Sequence, residues 1–142
     1  MAEGIFRKLA SQKLRCEEDE LRSKGIDALS AGIAAGDSFP ASPEAISLLR
    51  QSAIDISGHL SQQVTGEMVS ESDLIYVMTR SHLEALSHAR PDIAGRMKLI
   101  KADGGDVSDP IGRGLESYRQ CADELTTAVE VIVDEVIQKD SE

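Results

Sequence analysis

The run Leu74-Ile75-Tyr76-Val77-Met78 constrains the fold most tightly, because a stretch that is apolar at every position has no polar side to turn toward water. A strand of this kind is buried on both faces, and such strands belong to parallel sheets sandwiched between helices. Strands are predicted near 26–31, 73–78 and 96–101, with Met97 to Lys101 forming the last of them. Ile26 to Ala31 is a short candidate, ending in Ser30-Ala31-Gly32.

The intervening segments carry helical signals. Met1, Ile5, Leu9 and Cys16 fall near one face, broadened by Phe6, so residues 1–16 read as an amphipathic helix. Glu17 to Lys24 reads as a short charged helical stretch closed by Gly25. After a loop over 32–43, Ser42 caps a helix whose first-turn residue is Pro43 and whose apolar face is Ile46, Leu49 and Ala53. Ile54-Asp55-Ile56 reads as extended, and Ser57 to Val64 as a polar connection holding His59. Thr65 caps a helix to Glu71, and Ser81 with Glu84 forms a capping box opening a helix to Ala89. From Arg113 to Gln138, Leu115, Tyr118, Cys121, Leu125, Ala128, Ile132 and Val136 recur at helical spacing, predicting a long helix across the sheet. Strands separated by helices imply an open parallel α/β sheet, whose ligands bind beyond the carboxyl ends of the strands. Ser30, Thr79 and Asp109 all lie at or past such an end.

Composition narrows the function. A chain of 142 residues reads as one domain spanning 1–142, and its formal net charge of −10 opposes sequence-independent nucleic-acid binding and anionic membrane surfaces. No apolar run approaches a membrane span and no signal peptide is recognisable, so the cytoplasm is the expected compartment. Cys16 and Cys121 suit neither a zinc site nor a disulfide framework. No metal or cofactor is expected. His82 and His88 read as solvated helix residues and Tyr118 as packing.

The loop Gly104-Gly105-Asp106-Val107-Ser108-Asp109-Pro110-Ile111-Gly112 carries the clearest functional signal. A proline directly after Asp109 pushes that residue toward extended backbone and stiffens the turn that holds its carboxylate. The segment suits an aimed acid, but on this stretch alone an acidic surface turn capping the next helix is the favoured reading.

Five segments together resemble the low-molecular-weight protein tyrosine phosphatases. They are Ser30-Ala31-Gly32, Pro40-Ala41-Ser42-Pro43-Glu44-Ala45, Ile54-Asp55-Ile56-Ser57-Gly58-His59, Met78-Thr79-Arg80-Ser81-His82 and Asp109-Pro110-Ile111-Gly112. The resemblance implies a flavodoxin-like parallel sheet and phosphoryl transfer through a cysteinyl-phosphate. Asp109 then matches the general acid, while Ser30 and His59 match residues that brace the phosphate-binding loop. The family begins with a strand, a loop of cysteine, five residues and arginine, then Ser-Pro-Met-Ala-Glu. This chain begins at Met1-Ala2-Glu3-Gly4-Ile5-Phe6, and so resembles a truncated reading without that central strand, nucleophile and loop. Three strands with a gap between the first two, low stability and no turnover are the expectation. Arg22 follows Cys16 at the family's interval, but Glu17, Glu18, Asp19 and Glu20 stand between them, an environment hostile to phosphate.

Where tyrosine-specific relatives place aromatics, this chain has Gly36, Ile111 and Gly112, with Phe39 nearby as a rim residue. That pattern is closer to members similar to protein-arginine phosphatases. The expected substrate is a phosphorylated protein or a small phosphomonoester. The alternative is a non-catalytic remnant serving as a binding module.

Overall fold

The computed structural model describes residues 1–33 and 36–140. Along the chain lie α1 (Ala2–Leu14), 3-10 turns at Glu18–Glu20 and Arg22–Lys24, α2 (Pro43–Arg50), α3 (Gly66–Glu71) and β1 (Ile75–Val77). They are followed by α4 (Arg80–Ala89), a 3-10 segment at Pro91–Arg96, β2 (Met97–Leu99) and α5 (Leu115–Asp140). The loop reading at residues 34 and 35 lies outside the described residues.

β1 and β2 pair in parallel with Ile75 opposite Met97, Tyr76 opposite Lys98 and Val77 opposite Leu99. Because side chains alternate along a strand, each pair faces its own layer. Tyr76 and Lys98 reach Glu135 of α5, on the side where α1, α2 and α5 build the larger core around Ile5, Leu48, Leu125 and Val129. Ile75 and Met97 face the other way, packing with Val69, Ile93, Leu83 and Leu86. Helices therefore cover both faces, as the apolar run requires. Gly4 brings α1 close to the extended segment before His59: a Cβ there would lie 2.7 Å from Ile56 Cγ2 and 3.2 Å from Ile54 Cγ2.

Two strands form among the described residues, not three. Residues 26–31 remain outside the sheet: the Ile26 amide turns back to the Leu21 carbonyl at 3.0 Å, and side chains, not a ladder, take the groups of Ala28 and Ser30. The Ala28 carbonyl accepts from Arg7, its amide donates to Asp27 Oδ1 at 2.9 Å, and the Ser30 carbonyl accepts from Gln62 Nε2 at 2.9 Å. A strand is defined by its neighbour, and 26–31 pairs with neither β1 nor β2. The cap of α4 also differs from expectation. Thr79, extended at the end of β1, accepts from the His82 amide at 3.2 Å, so the helix opens at Arg80 and Ser81 lies inside its first turn. Pro91–Arg96 adds a 3-10 connection that sequence periodicity did not mark. Among the described residues no helix is long and apolar enough to cross a membrane.

Candidate functional site

Ser30 and His59, far apart in sequence, meet above the first turn of α1. Ser30 Oγ lies 3.5 Å from His59 Nε2 and donates to Glu3 Oε1 at 3.2 Å. The other carboxylate oxygen of Glu3 is 3.6 Å from His59 Nδ1 and 3.6 Å from Arg7 Nε. Arg7 continues the chain of charges to Asp27 at 3.6 Å. With Glu3 19% and His59 30% exposed, this network is partly shielded from water, which strengthens its polar contacts. It braces α1, the 26–31 segment and the loop after Ile56 into one unit.

Asp109 is held separately, on the loop leaving β2. The loop is fastened below by Val107, which is buried and whose amide donates to the Met78 carbonyl at 2.8 Å. Beyond the tether, Asp109 is exposed, and one of its oxygens accepts from the Ile111 amide at 3.1 Å. That bond closes a turn around Pro110. Gly112 and Gly114 take φ of 74° and 88°, a left-handed backbone that glycine adopts without strain, and the chain reverses there into α5. In α5, burial pushes the Cys121 thiol up; the Met1 amine opposes that shift, while Glu124 and Asp109 add to it. Asp109 and the Met1 amine thus both act on the charge balance of Cys121 in α5.

The rim is built from two strand-like crossings. Gly32 bridges Gln63 and Pro40 bridges Leu60. Ser61 clamps the turn between them: its amide donates to Phe39 O at 2.8 Å, its hydroxyl accepts from the Phe39 amide at 3.0 Å and donates to the Gly36 carbonyl. Asp37 Oδ1 accepts from the Gln63 amide at 3.0 Å. Phe39 is 64% exposed, and its ring lies over Gly36, where a Cβ would come within 2.2 Å of Phe39 Cε2. Ile111 is 69% exposed. Leu29, Ile33, Leu60 and Leu115 are exposed as well, so nearly all the large apolar surface lies in these loops.

The residues read from sequence thus group as pairs: Ser30 with His59, Gly36 with Phe39, and Asp109 with Ile111. Gly112 serves the turn. Among the described residues no hydrogen bond or ion pair joins Asp109 to Ser30 or His59: Asp109 bonds within its own turn, while Ser30 and His59 meet on Glu3. Sequence reasoning missed Glu3, Arg7 and Ser61, although the four-residue interval from Glu3 to Arg7 on a helix is itself a legible pairing signal. Cys16 falls just beyond α1, and Glu18–Glu20 and Arg22–Lys24 are 3-10 turns whose amides bond within the segment, as Glu20 does to Glu17 at 3.0 Å. The interval from Cys16 to Arg22 therefore presents no amide cradle. Among the described residues no His, Cys, Asp and Glu cluster is disposed to hold a metal ion.

Comparison with known proteins supplies the frame for this geometry. A family profile described as "Low molecular weight phosphotyrosine protein phosphatase" matches residues 1–142. A probable low molecular weight protein-tyrosine-phosphatase, EpsP, of Ralstonia nicotianae is 32% identical over 77% of this chain and 76% of its own length. The protein-arginine-phosphatase of Bacillus subtilis is 28% identical over 88% of this chain and 79% of its own. Among solved structures, the low molecular weight protein tyrosine phosphatase of T. tengcongensis superposes with a TM-score of 0.81 at 34% identity, covering 94% of this chain and 88% of that one. A YwlE arginine phosphatase, a cysteine-to-serine mutant with a phosphorylated active-site serine, gives 0.82 at 25% identity, covering 95% and 85%.

Proposed function

This chain belongs to the low molecular weight phosphotyrosine protein phosphatase family, and we propose that it serves the hydrolysis of phosphorylated protein side chains with Asp109 as general acid. The observation that carries the reading is the contact of Ser30 with His59 on Glu3. A brace beneath a phosphate loop and an acid beside it are the two parts of this chemistry that residues 1–142 supply.

The reaction proceeds in two steps. A cysteine thiolate attacks phosphorus and the bond to the leaving oxygen or nitrogen breaks, while that atom takes the proton of Asp109. The Asp109 carboxylate then takes a proton from water as the water attacks phosphorus, and the sulfur–phosphorus bond breaks to regenerate thiolate and acid. Covalent catalysis divides one difficult transfer into two easier ones. The serine-phosphorylated YwlE mutant is consistent with attack from that position in that protein. Residues 1–142 carry no cysteine in a phosphate-binding loop, because the Cys121 thiol is buried in α5 and Cys16 has the acidic surroundings described above. These residues alone therefore lack the nucleophile.

The rim supports a guanidinium phosphoramidate over a phosphotyrosine ring. Phe39 is its one exposed aromatic, since Phe6, Tyr76 and Tyr118 pack into the core, and Ile111 and Gly112 offer no ring for stacking.

The test is an assay with p-nitrophenyl phosphate and with a phosphoarginine peptide, on residues 1–142 and on the same chain joined behind the first strand and cysteine loop of the Bacillus subtilis relative. The short chain is expected to show no turnover above buffer. In the joined chain, Asp109→Asn should slow substrates with poor leaving groups by about 10² to 10⁴. Turnover by the short chain that survives loss of both Cys16 and Cys121 would sink the thiolate requirement.

A further inference from the structure

Asp106 stands three residues before Asp109, and its Oδ1 accepts from the backbone amide of Arg80 at 2.8 Å. That amide is one of the donors a helix start leaves without an intrahelical partner. Thr79 does not satisfy it, because its hydroxyl is used by the His82 amide. A carboxylate at this position also meets the favourable end of the α4 dipole. Val107 adds the adjoining tether, its amide donating to Met78 O at 2.8 Å. Asp106 and Val107 thus fasten the loop to the junction of β1 and α4 immediately before it rises into solvent at Asp109. Past that point the turn is closed by a bond of its own, from Ile111 to Asp109, which shapes the turn without fixing where it sits.

Resting on the reading of Asp109 as general acid, we infer that Asp106 is a positioning residue, setting the height and direction of Asp109 through its hydrogen bond to the Arg80 amide. Proline suits the first position of a helix, and Thr79 before it is already extended at φ −133°, ψ 158°. Arg80→Pro therefore deletes the donor while sparing α4, and Arg80→Ala deletes the side chain while keeping the donor. Asp106→Ala deletes the acceptor, and Asp106→Asn keeps an amide oxygen in its place.

The readout is kcat/KM in the joined chain for phenyl phosphate, whose leaving group needs a proton, against p-nitrophenyl phosphate, whose leaving group does not. Asp106→Ala and Arg80→Pro are expected to lose roughly ten- to a hundredfold on phenyl phosphate and far less on the nitro compound. Asp106→Asn and Arg80→Ala should stay near the parent on both. In residues 1–142 themselves, hydrogen exchange at the Arg80 amide should speed up in Asp106→Ala and slow again in Asp106→Asn. Should Asp106→Ala fail to fold, Arg80→Pro against Arg80→Ala decides the matter. Asp109→Asn, run alongside, separates the two layers: equal loss on both substrates there removes the general-acid reading. If Asp109→Asn does discriminate, but the two deletions of the bond hit both substrates alike, or Arg80→Ala falls with Arg80→Pro, the positioning role is overturned.

Discussion

At the scale of single residues, Gly36 decides where the rim's aromatic ring can lie. The gap between its absent Cβ and Phe39 Cε2 is 2.2 Å, too short for any methyl group, so Gly36→Ala must turn the ring away. Because the ring is exposed and its far end is free to move, the stability change should stay within about 0.5 kcal/mol. The ring's position should change all the same, visible as lost nuclear Overhauser contacts between Phe39 ring protons and residue 36. KM for aryl phosphates should change in the joined chain with kcat held, because the rim touches the leaving group and not phosphorus. An unmoved ring with an unchanged KM would remove Phe39 from the rim. The sequence exposed Gly36 and Phe39 as separate candidates. Their contact was not legible, because it depends on Ser61 clamping the turn, and a serine in a polar connection carries no periodic signal.

Among the elements, α5 is coupled to the sheet by one carboxylate. Glu135 accepts from Tyr76 Oη at 3.0 Å and from Lys98 Nζ at 2.6 Å, joining both strands to the last helix. The Lys98 hydrogen bond is the first cause holding the Glu135 carboxyl below its usual range. Burial, then the bond to Glu135, pushes the Tyr76 phenol well above its own. A carboxyl lowered in the folded state stabilises at pH above its unfolded value, and that contribution is lost as pH falls through the folded one. A raised phenol stabilises below its unfolded value and loses that contribution as pH climbs past it. The fold should therefore lose stability at acid pH through Glu135 and at alkaline pH through Tyr76. Tyr76→Phe should cost roughly 0.5–1.5 kcal/mol near neutrality and flatten the alkaline limb, as urea midpoints measured across pH would reveal. An unchanged alkaline limb would show that the phenol is not coupled to folding. The long helix was readable from its periodicity and β1 from its unbroken apolar run. The 26–31 strand was misread because a strand's identity resides in its partner, and Ile26 to Ala31 finds a turn contact to Leu21 and side chains in place of a neighbouring strand.

Across the whole molecule, stability is divided unevenly. The core between α1, α2 and α5 is continuous from Ile5 to Val133, whereas the sheet it should rest on has two strands of three residues. Residues 26–31 bond to Arg7, Asp27 and Gln62 in place of a ladder. Each ladder bond would contribute about 1 kcal/mol net, and a further apolar strand would bury more surface against the same helices. Against a typical total of roughly 5–15 kcal/mol, a strand inserted between 26–31 and β1 is a large fraction of the whole. Residues 1–142 should accordingly unfold at a lower urea concentration than the chain joined behind the relative's strand and cysteine loop, and with a smaller m-value, since less surface is exposed on unfolding. Amide exchange locates the difference. The amides of Leu29, Ser30 and Ala31 should exchange freely in the short chain and become protected in the joined one, while the α1–α5 core stays protected in both. Equal midpoints, or these three amides already protected in the short chain, would mean that the side-chain contacts of Arg7 and Gln62 replace the ladder in full.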